Sequence, residues 1–351
     1  MTEFLTAKRL AITVSICLAV LAVVIGLCTS VGTQKICLAK VISGPGEAPG
    51  ANIDYEIFVI RLQRVILGAL VGAALACSGV VLQAILRNPL ADPYILGISS
   101  GAGLGAMIAV LSGITWSFWG GSPITIFAFG GALGTVWLVW FIGRFAGKSQ
   151  VMSLLLAGVV VNAFFSAVIM FLTSIAKSHQ IRWTVFWLMG NITEKDLPVL
   201  YVSGGLILTG IVLLFSICYR LNVLTFGEEE AKGLGVDTAK TRLVAFSLAA
   251  FITAIAVSLS GLIGFVGLVI PHGVRLVFGP DHRQLLPVSA IIGSIFLVAA
   301  DTVARTIVAP EQLPVGVITA IAGGPFFLIL LAKHTKKVGL HFGTGRKTGT
   351  G

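Results

Sequence analysis

Apolar residues run in long blocks along this chain, and polar residues gather in the short stretches between them. A helix needs roughly 20 apolar residues to cross a bilayer. Ten blocks approach that length, at 10–32, 61–86, 94–112, 122–143, 152–173, 198–218, 242–259, 262–278, 286–305 and 314–332. The eighth is the weakest, because Pro271 interrupts it. Two links are longer than turns. Residues 33–60 hold Gly44-Pro45-Gly46 and Pro49-Gly50 and predict an extended loop. Residues 174–197 hold Trp183, Phe186 and Trp187 and predict a helix lying at the membrane interface. The pattern predicts an all-α polytopic membrane protein of about ten transmembrane helices. A single transmembrane domain spans 1–335, with a sizeable inside loop at about 221–240, and a disordered cytoplasmic tail follows over 336–351.

Composition agrees. Hydrophobic residues make up 56% of the chain and charged residues 11%, against about 25% charged in a soluble domain. The pairs Gly68/Gly72, Gly101/Gly105 and Gly130/Gly134 have the spacing that lets membrane helices pack closely. With ten crossings and an inside N-terminus, sixteen of the 24 Lys and Arg residues fall on the inside and eight on the outside. That bias places both termini in the cytoplasm. The net charge of +10 then reflects topology. Nucleic-acid binding is not indicated, because no basic stripe is interleaved with aromatics. The five cysteines form no Cys-x-x-Cys pair, so neither zinc nor a disulfide framework is indicated. Lys8-Arg9 followed by Leu10–Val31 is too long for a typical signal-peptide core and predicts a first transmembrane helix.

Four polar segments carry candidate chemistry. Arg87-Asn88-Pro89-Leu90-Ala91-Asp92-Pro93 is either a tight turn or part of a gate at the inner mouth. Residues 221–240 form the sizeable inside loop, where Glu228, Glu229 and Glu230 predict the first turn of a short helix and Gly235 its stop. His272, Asp281 and His282 do not fit a metal motif, and a helix cap with a turn is the expected arrangement. Asp301 and Arg305 are one helical turn apart, as either a functional charge site or a plain ion pair. Gly143–Ser149 resembles a phosphate-binding loop but has three residues between its glycines where four are needed. No catalytic constellation is present, so an enzyme is not predicted.

These segments resemble the FecCD-type iron-chelate/cobalamin uptake permease family, the membrane subunits of type II ABC importers. The resemblance is carried by RLQRVILGALVGAALACSG (61–79), QAILRNPLADPYILGISSGA (83–102), FGEEEAKGLGV (226–236), GLIGFVGLVIPHGVR (261–275), ADTVAR (300–305) and LPVGVITAIAGGPFF (313–327). It implies a homodimer with the translocation path at the two-fold interface. It also implies two cytoplasmic ABC ATPase subunits and a periplasmic substrate-binding protein. No cofactor is expected on this chain, with ATP and Mg on the partner ATPase. Arg61, Arg64 and Arg305 match outward-facing arginines that receive acidic residues of the binding protein. Gly227, Glu228, Glu229, Glu230, Ala231, Gly233 and Gly235 match the segment that couples to the ATPase. Asn88 and Leu90 match a cytoplasmic gate, and Val151 and Met152 fall near a second gate segment. Gln63 stands where proline is frequent in the family. The implied function is ATP-driven import of a metal chelate into the cytoplasm across the bacterial inner membrane. Ferric siderophore ranks first as cargo, then cobalamin, then haem. An ion-coupled secondary transporter is the competing reading. It would need midplane carboxylates, which the spans nearly lack.

Overall fold

A computed structural model describes residues 6–46, 50–114, 121–145 and 150–343. Among them the chain is helical. The helices are α1 (Ala7–Ser30), α2 (Leu38–Ile42), α3 (Ile53–Ile85), α4 (Ile98–Ser112), α5 (Pro123–Phe145), α6 (Gln150–Ile175), α7 (Ser178–Leu188), α8 (Leu197–Ser216), α9 (Cys218–Phe226), α10 (Glu228–Gly233), α11 (Thr238–Ser260), α12 (Val266–Phe278), α13 (His282–Thr306) and α14 (Val315–Gly343). A 3₁₀ turn, Pro93–Leu96, leads into α4. Seven helices are long and apolar enough to span a bilayer, and α4, α12 and the first part of α14 are shorter apolar helices.

Every predicted block falls on a helix, but several boundaries move. Residues 33–60 are not one extended loop. Asn52 accepts a hydrogen bond from the Tyr55 N–H, and Asp54 and Glu56 occupy the first turn. That cap starts α3 at Ile53 and carries Arg61 and Arg64 inside the helix. Residues 174–197 do hold a separate helix, α7. Residues 336–343, expected to be disordered, continue α14 as helix.

The eighth block is a short helix with an extended entry. Its helix begins at Val266, and its 13 residues reach about 20 Å, short of the roughly 30 Å hydrocarbon core. Phe265 has a left-handed φ of 70°, and Gly261 one of 68°. Non-helical backbone at such depth needs internal partners, and several are present. The Ile263 N–H donates to the Tyr94 hydroxyl at 2.8 Å. The Asn191 N–H donates to the Ser260 carbonyl at 2.7 Å.

Pro271 does not break α12, contrary to expectation. A proline removes the hydrogen bond to the carbonyl four residues back, here that of Gly267. The Gln83 Nε2 amide lies 3.4 Å from the Gly267 and Leu268 carbonyls and donates to them. One buried amide of α3 thereby satisfies the carbonyl freed by Pro271.

Helix α3 is the centre of the bundle, mostly buried, and packs most extensively on α13. The two run antiparallel. Arg64 meets Asp301, Gly72 meets Gly293, and Cys77 meets the Leu286 carbonyl. Gly72 and Gly293 face one another so closely that a Cβ on either would strike the other's backbone. Gly101 and Gly105 of α4 pack in the same way on Gly131 and Phe127 of α5. The third predicted pair is corrected. Gly130 and Gly134 face away from every described neighbour, because the α4 contact uses the face of α5 that carries Gly131.

Candidate functional site

Two polar clusters lie near opposite ends of the α3–α13 pair. At one end Arg61 and Arg64 share a face of α3, and Asp301 and Arg305 share a face of α13. Arg64 Nε donates to both Asp301 carboxylate oxygens, at 3.2 and 3.0 Å, and its Nη2 donates to Oδ1 at 2.9 Å. Its Nη1 donates to Gln312 Oε1 at 2.8 Å. Arg305 Nε lies 3.2 Å from Asp301 Oδ2. Its Nη2 donates to the Cys28 carbonyl and the Thr302 hydroxyl, both at 3.1 Å. The ion-pair alternative for Asp301 and Arg305 is therefore present, enlarged by Arg64.

Arg61 differs from the other two. It donates to the Gln34 carbonyl at 2.6 Å and the Ser30 carbonyl at 3.3 Å. Among the described residues it has no carboxylate partner. A Cβ at Gly32 would fall on its guanidinium, so the chain after α1 passes closely over Arg61.

The three arginines are not protruding side chains. Arg61 is 7% exposed, Arg64 7% and Arg305 5%. They form the wall of a cleft of about 250 Å³ that also includes Gln34, Glu194 and Gln312. Three guanidinium charges against the carboxylates of Asp301 and Glu194 leave the cleft cationic.

At the other end lie α9 and α10. Gly227 opens α10 with a φ of 153°, and Gly235 follows it with a φ of 77°. The predicted acidic first turn and glycine stop are both present. Ala231 is buried and anchors the helix. Glu228 is an internal anchor. Its carboxylate lies 3.3 Å from Arg242 and 3.5 Å from Lys232. The Arg242 charge holds its pKa below the usual glutamate value. Glu229 and Glu230 are exposed, as are Phe226 at 74% and Leu234 at 65%. This end therefore exposes two large apolar side chains and three carboxylates, of which Glu228 is already tied to Arg242 and Lys232. Gly233 has no close neighbour and no positive φ, so no geometric need for glycine exists there.

Helix α9 is fastened on two sides. Arg87 Nη2, just past α3, donates to the Leu224 carbonyl at 3.1 Å. Asn222 Oδ1 accepts the His282 backbone N–H at 2.8 Å, and His282 Nδ1 is 2.7 Å from the same oxygen. Asn222 Nδ2 donates to Asp281 Oδ1 at 2.8 Å. Asp281 also caps α13 by accepting from the Arg283 N–H. Partial burial raises the Asp281 pKa, but hydrogen bonds from Arg283 and Asn222 outweigh it and leave the pKa at about 2. Asp281 and His282 thus form the predicted cap and turn. Sequence reasoning missed Asn222, Gln83 and Gln312, because each acts on residues remote in the chain.

The gate candidates do not form one cluster within a single chain. Asn88 Oδ1 accepts from the Leu90 N–H at 2.9 Å and shapes the turn. Leu90 lies with Pro89, Leu268, Val269, His272, Phe326 and Phe327, where α12 meets α14. Met152 is 66% exposed on the outer face of α6. The Val151 side chain lies outside the described residues, as do residues 146–149 of the loop that resembled a phosphate site.

The FecCD transport family matches residues 18–333. A cobalamin import system permease of Halobacterium salinarum is 42% identical over 325 residues, covering 89% of this chain and 85% of that protein. A hemin transport system permease of Yersinia pestis is 41% identical over 284 residues, covering 79% of this chain and 83% of that protein. A solved structure titled as a metal-chelate type ABC transporter in an inward-facing conformation superposes with a TM-score of 0.80 at 32% identity. It covers 92% of this chain and 99% of that one.

Proposed function

The chain belongs to the FecCD transport family as a membrane permease subunit of an ABC importer, and on that premise we propose that it imports a metal chelate into the cytoplasm by alternating access at the interface of a homodimer. One observation carries this reading. A cationic cleft and an exposed apolar–acidic helix sit near opposite ends of the same antiparallel helix pair. From Asp301 to His282 is about 28 Å along α13, close to one bilayer thickness. The cleft suits acidic residues of an extracytoplasmic binding protein, through Arg61, Arg64 and Arg305. The α10 end suits a groove on an ATPase subunit, reached by Phe226, Glu229, Glu230 and Leu234. ATP binding and hydrolysis belong to that partner. Closure of two ATPase subunits would move α10 and switch which end of the central path is open.

The large apolar side chains left exposed on α6, among them Met152, Leu156, Phe164 and Phe171, suit a second copy. Leu90 and Met152 would then approach across the two-fold axis as parts of a cytoplasmic gate. The ion-coupled alternative is disfavoured by Asp301. That carboxylate lies near the end of α13 and not at its middle, and it is already paired with two arginines.

Ferric siderophore is the proposed cargo, with cobalamin and haem as the alternatives that the named relatives carry. The test is uptake of labelled ferric siderophore by cells with and without the gene, with unlabelled cobalamin and haem as competitors. Gene-dependent iron uptake that ignores both competitors is expected. Its absence overturns the siderophore assignment and makes labelled cobalamin the next ligand.

A further inference from the structure

We infer that Asn222 is the joint through which helix α13, packed on α3, links the arginine cleft to the ATPase-facing segment. Docking in the cleft is then felt at α10. Helix α13 is one continuous helix from His282 to Thr306. Its far end carries Asp301 and Arg305, which build the cleft wall with Arg64. Its near end begins at Asp281 and His282, and one side chain of α9, Asn222, holds both. Only Gly227 separates α9 from α10.

The chemistry of the joint is specific. An amide offers an acceptor to the His282 N–H and, from a separate atom, a donor to Asp281. The α13 N-terminus needs acceptors for its first N–H groups, and Asn222 supplies one from another helix. Helix α13 keeps its helical path through Pro287, so a small tilt at its far end is delivered at its near end. Coupling between sites of this separation needs a continuous packed element with a bistable partner. The α3–α13 contact, with Gly72 against Gly293, leaves little room for the two helices to slip. The bistable partner is the pair of ATPase subunits.

The inference rests on the proposed docking and coupling surfaces, and the experiment separates the two. The whole complex is purified in lipid nanodiscs with its binding protein. Three quantities are read: binding-protein affinity without ATP, basal ATPase rate, and the binding-protein-stimulated rate. Asn222→Ala breaks the joint from the α9 side, and Asp281→Ala removes the acceptor of the Asn222 amide on the α13 side, so a folding defect in one variant leaves the other to decide. Each is expected to keep affinity and assembly with the ATPase while stimulation falls by about tenfold, within the usual range of allosteric couplings. The double variant is expected to lose no more than the worse single one, because both cut the same link. Wild-type stimulation in either assembled variant overturns the inference. Arg61→Glu serves as the reference. If it keeps wild-type affinity, the docking reading fails and the inference falls with it. If it loses docking while both joint variants keep full stimulation, the inference alone fails.

Discussion

Asp301→Ala is expected to lower the stability of the permease by about 3–5 kcal/mol, the usual cost of stripping one partner from a buried ion pair. Arg61→Glu is expected to cost less stability than Asp301→Ala, because it strips two carbonyl acceptors and no buried ion pair, while removing most of the affinity for the binding protein. The contrast follows from the geometry of one cleft. The Asp301 side chain is 3% exposed and faces the side chains of Arg64, 8% exposed, and Arg305, 6% exposed. Deleting it leaves two desolvated guanidinium groups facing each other without their counter-ion. Arg64→Glu should be nearly as damaging, because it sets a carboxylate against Asp301. Among the described residues Arg61 bonds only to carbonyl oxygens, and it lines the open cleft. A glutamate there repels an approaching carboxylate without disturbing the Asp301 cluster. Thermal unfolding of the purified permease reads the first effect, and binding-protein titration at two salt concentrations reads the second. Charge repulsion at the mouth should weaken as salt rises. Equal stability of Asp301→Ala and wild type would show that the cluster is hydrated and contributes little. The three arginines are therefore unequal probes: Arg61 tests docking with the least disturbance of the Asp301 cluster.

The spans were legible because membrane helices announce themselves by length and hydropathy alone. The α10 segment was legible too, since its acidic first turn and flanking glycines are local signals. What escaped is what depends on partners remote in sequence. The arginines read as outward-facing at the ends of spans, yet Asn52 starts α3 early enough to draw Arg61 and Arg64 into the bundle. Pro271 read as a break because nothing near it in sequence announces that Gln83 will satisfy the freed carbonyl. Gly130/Gly134 read as a packing pair, since spacing fixes which residues share a face but not which face meets a neighbour. Asn222 gave no signal at all. Its partners, Asp281 and His282, lie about sixty residues away, and a lone asparagine in an apolar-flanked link looks like any other.

The second large effect is expected at Gly79. A Cβ there would sit on the carbonyl of Gly267 at the start of α12. The obstacle is backbone, so no rotamer change can relieve it, and α3 and α12 must separate. Overpacking of this kind usually costs about 1–3 kcal/mol, and more where the neighbour cannot yield. Here yielding has a second penalty. The same Gly267 carbonyl, freed by Pro271, receives the Gln83 amide, and moving α12 away stretches that bond. Gly79→Ala should therefore destabilise the fold and also disturb the place where Leu90 meets α12 and α14. Gly130→Ala is the matched control. It adds the same methyl to a membrane helix where nothing lies within 4 Å, and should leave stability unchanged or slightly raised, since alanine restricts the unfolded chain more than glycine. Thermal unfolding of both variants in the same detergent decides the matter. A Gly79→Ala protein as stable as Gly130→Ala would mean that α3 and α12 are not in backbone contact, and the short-helix reading of α12 would have to be abandoned.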